Sequence, residues 1–71
     1  MNTYFNVKIK YKLEDDQGKL KSITEEYLVD AVNFTEAEAR ITDHFADSMG
    51  EFTVEKVTKT KILDVINYGN E

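Results

Sequence analysis

The sequence predicts an α+β domain in the order strand, strand, helix, strand (ββαβ): a three-stranded, mainly antiparallel sheet with one helix on one face and an apolar C-terminal extension. Three observations carry this. Residues 4 to 13 alternate apolar and polar, which is the period of a half-buried strand. A polar, glycine-containing loop separates that run from a second strand-like run, which reads as a hairpin. The stretch Asn33-Phe34-Thr35-Glu36-Ala37-Glu38-Ala39-Arg40-Ile41 carries the signals of a helix start.

In the first strand Phe5, Val7, Ile9, Tyr11 and Leu13 share one face, and Tyr4, Asn6, Lys8, Lys10 and Lys12 the other. Glu14-Asp15-Asp16-Gln17-Gly18-Lys19 is the hairpin loop. Its acidic run lacks the spaced oxygen ligands and terminal glutamate of a calcium loop, so a solvated turn is expected. The second strand covers about Leu20 to Val32, with Ile23, Tyr27, Val29 and Ala31 in phase. Strict alternation also points Glu25 at the core, which demands either a bulge or a partner such as Arg40.

For the helix, Thr35 is the expected N-cap, with Glu38 completing a reciprocal capping box and Phe34 just outside as a staple residue. Ala37, Ile41, Phe45 and Met49 recur every four residues, flanked by Ala39 and Ala46, giving a stripe of about four turns. Gly50 is the expected stop. In the third strand, Glu51 to Thr60, Phe52 and Val54 have one parity and Val57 the other, so a bulge near Glu55 and Lys56 is expected. Ile62-Leu63-Asp64-Val65-Ile66 and Tyr68 form an apolar segment that either extends the sheet or packs on another subunit. Sheet order 2-1-3 is expected, with 1-2-3 as the alternative.

At 71 residues with no cysteine, the chain is one domain near the lower size limit for an unstapled core, so self-association into a homo-oligomer is expected. Its only histidine is His44, and no metal-ligand cluster or cofactor is implied. No apolar run is long enough to span a bilayer and no signal segment is evident, so a soluble, cytoplasmic protein without membrane contact is expected. The net charge of −5 argues against general nucleic-acid binding.

Lys8, Lys10 and Lys12 project from the face opposite the core, and Lys59 and Lys61 are placed near them if strand three pairs with strand one. With Tyr4, Asn6 and Tyr68 they would make an anion- or nucleotide-accepting surface, of which Tyr4, Lys8, Lys10, Lys59 and Tyr68 are the chosen residues. The plainer reading is that Lys8 faces Glu26 across the hairpin and the others are solvated strand charges. His44 reads as a partly buried structural or interface residue rather than a catalyst; Ser48 shares its face without an orienting acid, and Asp43 and Asp47 solvate the helix.

Tyr27-Leu28-Val29-Asp30-Ala31, the stretch Phe34 to Ile41, and Gly50-Glu51-Phe52-Thr53-Val54 together resemble a small uncharacterised family, a domain of unknown function found in bacteria and their phages, over most of the chain. The resemblance supplies no catalytic residues. A phage context implies action by binding: masking a host protein, or sequestering a nucleotide-derived immune signal between subunits. The expected function is therefore a non-enzymatic, oligomeric binding protein with a nucleotide-like ligand at subunit interfaces. The alternative is an adaptor or inhibitor that docks a protein partner on an acidic helix face comprising Glu36, Asp43 and Asp47.

Overall fold

The computed structural model describes residues 3–47 and 50–68. Strand β1 (Thr3–Glu14) and strand β2 (Leu20–Ala31) form a long hairpin, helix α1 (Phe34–Phe45) follows, and strand β3 (Phe52–Lys59) returns to the far side of β1. The sheet order is β2-β1-β3 with both pairings antiparallel, the first of the two orders the crossover allows, and not 1-2-3. Its middle strand is the most apolar in alternation, and Phe5, Val7 and Ile9 are buried under the helix residues Ala37 and Ile41.

The hairpin loop closes through Asp15, whose carboxylate accepts from the backbone N–H groups of Gln17 and Lys19, both at 2.9 Å. Gly18 there takes φ of +81°, a conformation glycine adopts without the penalty of a Cβ. On β3 the register steps from Lys8 opposite Lys56 to Ile9 opposite Val54, leaving Glu55 as the extra residue. This bulge lies where the parity change in the sequence puts it, and it returns Val54, Val57 and Phe52 to the helix side.

The helix ends differ from expectation. The N-cap is Asn33, not Thr35: its backbone is extended and its side-chain oxygen accepts from the Glu36 N–H at 2.8 Å. Glu36, rather than Glu38, reaches back, accepting from the Val32 N–H at 2.8 Å. Asparagine is the stronger cap, and starting there places Phe34 inside the helix on the same stripe as Ala37, Ile41 and Phe45. Phe34 is thus no outside staple; its ring meets Phe5 edge-on at 5.0 Å. The helix stops at Phe45, where the Ala46 N–H tightens onto the Asp43 carbonyl at 3.4 Å. Gly50 does take a positive φ of 71°, but in the connection to β3 and not as the helix stop. Ala39 and Ala46 are exposed, because three helical turns touch the sheet along one narrow line. Met49, assigned to the stripe, lies outside the described residues.

The segment after β3 does not extend the sheet. Thr60 makes one last ladder contact, its N–H and hydroxyl both donating to the Tyr4 carbonyl at 3.0 and 2.7 Å. Beyond it residues 61–68 have no regular structure and are exposed.

Candidate ligand-binding face

One helix covers one face of a sheet, and among the described residues no second helix or strand layer covers the other face of β2-β1-β3. Its central row is Tyr4, Asn6, Lys8, Lys10 and Lys12 of β1, successive members standing roughly 7 Å apart, twice the strand rise. The register supplies the flanks. Lys8 lies between Glu26 of β2 and Lys56 of β3; Lys10 lies between Thr24 and Thr53; Lys12 lies beside Ser22. Lys8 does face Glu26, the plainer expectation, yet among the described residues none of these lysines makes an ion pair within 4.0 Å. Two like charges directly opposite, Lys8 and Lys56, repel each other, and an anion between them relieves that cost.

Four of the five residues chosen from the sequence divide between the two faces. Tyr4, Lys8 and Lys10 are on the uncovered face. Lys59 is not: it pairs with Phe5 and therefore belongs to the helix side. The bulge at Glu55 decides this, since it reverses parity between Val54 and Val57 and brings Lys56 to the lysine row instead. The signal was in the sequence, because the same parity argument that predicts the bulge reassigns every lysine beyond it. Tyr68 is 98% exposed, and its side chain makes no hydrogen bond among the described residues. Tyr4 directs its hydroxyl at Asp64 over a long 3.5 Å. Partial desolvation, followed by the carboxylates of Asp64 and Asp30, raises its phenol above the ordinary 10.0.

On the covered face Glu25 is satisfied without a bulge and without Arg40. It accepts hydrogen bonds from Tyr11 at 3.0 Å and from Tyr27 at 2.5 Å. Those bonds are the first cause, ahead of desolvation, that raises both phenols above 10.0. Tyr27 is two residues along on the same face and Tyr11 is the diagonal cross-strand neighbour, so register alone identifies both. Arg40 instead donates to the Asp30 carbonyl at 2.6 Å and lies 3.7 Å from Glu36.

His44 is exposed rather than partly buried, its ring edge-on to Phe45 at 4.7 Å. It borders a shallow groove between α1 and β2, with Arg40, Asp30 and Tyr27. Ser48, named as its neighbour, lies outside the described residues. Asp43 and Asp47 are exposed, but Glu36 is engaged in the cap, so the acidic face is smaller than the sequence suggests. Among the described residues no cluster of three or more acidic or histidine side chains is placed to hold a metal ion, and no helix is long and apolar enough to cross a membrane.

These features define a small ββαβ domain with a lysine-lined, uncovered sheet face. The family model described as domain of unknown function (DUF4494) matches residues 3–71, and the chain belongs to that family. No curated protein and no solved structure matches it.

Proposed function

We propose that this domain is a non-enzymatic, self-associating binding protein that holds an anionic, nucleotide-like ligand on the lysine face, at or beside a subunit interface. The observation that carries the reading is the row Lys8, Lys10 and Lys12 with Lys56 opposite Lys8, flanked by the hydroxyls of Thr24, Thr53 and Ser22, in a chain whose net charge is −5. Ammonium groups and hydroxyls are the donors a phosphate needs, and Tyr4 at the end of the row offers a ring for a base. Sequestration of a nucleotide signal is the role such a site serves without chemistry of its own. An adaptor role through the helix has less support, because Glu36 is tied to the cap and to Arg40.

Thermal unfolding with a panel of mono-, di- and cyclic nucleotides tests the reading. A ligand that binds only the folded state at about 100 times its Kd adds about 2.7 kcal/mol of apparent stability. The rise should be lost in Lys8→Gln/Lys56→Gln. A rise that survives this double substitution would remove the lysine face from the site, and no rise with any nucleotide would remove the ligand class.

A further inference from the structure

The large apolar side chains that the fold leaves in water are not scattered. Of the ten that stand exposed among the described residues, Leu28, Val32 and Phe34 lie towards the pole where β1 begins and β2 ends, Ile62, Leu63 and Val65 flank the residues tied to Tyr4 there, Ile66 and Tyr68 follow them in the chain, and Leu13 and Leu20 lie at the hairpin tip. Leu28 and Val32 come from the end of β2 and the turn after it, and Phe34 opens the helix against Phe5. The C-terminal segment supplies the rest. It is anchored here because Thr60 is bonded to the Tyr4 carbonyl and Asp64 lies against the Tyr4 hydroxyl. Leu63 is 93% exposed and Ile66 87%.

We infer that this pole is the contact with a second copy of the same chain. The inference rests on the self-association proposed above and names its surface. Among the described residues the buried core holds six apolar residues, two of them alanines, fewer than the large apolar residues left exposed. A domain of this size with so small a core gains needed burial by association. Leu63, Ile66 and Tyr68 alone put on the order of 500 Å² in water, as much as the largest exposed apolar patch of a typical monomer, which is often a functional one. In a two-fold contact the patch meets itself, so full burial of these side chains with Leu28, Val32 and Phe34 around them covers more than about 1,000 Å² in total, the lower bound for a specific interface.

Charge permits a copy as the partner at this segment. The chain carries −5, so most of its surface repels a copy of itself, whereas residues 60–68 hold one lysine and one aspartate, Lys61 and Asp64, and are neutral. Two such segments meet without net repulsion. Contact at the pole also leaves Lys10 and Lys12, further along β1, open to a ligand.

Sedimentation equilibrium of the full chain, with circular dichroism on the same samples, tests the surface. The wild type should show a mass above 8.2 kDa, and Leu63→Asp/Ile66→Asp should lower it to that of one chain, or unfold with dissociation. Leu13→Asp/Leu20→Asp, at the opposite end, should keep the wild-type mass. An assembly that survives the first substitution, or is broken by the second alone, would overturn the pole assignment while leaving self-association standing. A wild type that is monomeric across the concentration range would overturn both.

Discussion

Replacing Asn33 by alanine removes the one side chain that accepts the Glu36 N–H, at 2.8 Å, at the start of the only helix among the described residues. Loss of an asparagine cap costs about 1 kcal/mol, within a range of about 0.5–2. The helix supplies Ala37 and Ile41 to a buried core that numbers six among the described residues, so it cannot fray without opening that core, and the cost should appear in global unfolding. For a domain of this length about 1 kcal/mol corresponds to a fall in Tm of about 4–8 °C. Thr35→Ala is the matched control. In the structure Thr35 is the second helical residue and its hydroxyl has no partner among the described residues, so alanine, the better helix former, should leave Tm unchanged or raise it slightly. Both variants are melted by circular dichroism at one protein concentration, because any self-association makes Tm concentration-dependent. A Thr35→Ala loss equal to or larger than that of Asn33→Ala would refute the cap and return it to Thr35.

Tyr11 and Tyr27 have folded-state pKa values raised above 10.0 by their bonds to Glu25. Below that value the protons are held in both states and the bonds contribute fully; above it the unfolded chain releases them first, so stability falls as pH rises through the raised values. Urea midpoints from about pH 8 to about pH 11 should decline, and decline less steeply in Glu25→Leu; equal slopes would refute the link. Lys56→Gln should weaken binding of any anionic nucleotide and flatten its salt dependence, whereas Lys59→Gln should leave both near wild type by fluorescence or calorimetric titration. Equal effects of the two substitutions would contradict the register.

The strands of the hairpin and the β3 bulge were legible because each follows from alternation, a local signal with a period of two, whereas crossover handedness favoured the order 2-1-3 and left 1-2-3 open until the pairing of β1 with β3 decided it. The parity break between Val54 and Val57 located the bulge from sequence alone, yet its consequence for Lys59 and Lys56 needed the register to be followed through. The helix ends were harder. Asn33 and Thr35 both have cap chemistry, and the choice between them depends on which start lets Phe34 reach Phe5 across the chain. Glu25 needed the pairing of β1 with β2 before Tyr11 emerged as its partner. The C-terminal segment has strand-like composition but no strand, since after Thr60 β1 has only Thr3 left among the described residues to pair with.

Native mass spectrometry of the protein as purified from cells tests the central claim most directly, because one spectrum reports subunit number and retained small molecules. An oligomer with added mass of nucleotide size, absent from Lys8→Gln/Lys56→Gln, is the expected result. A bare single chain near 8.2 kDa at every concentration would contradict it.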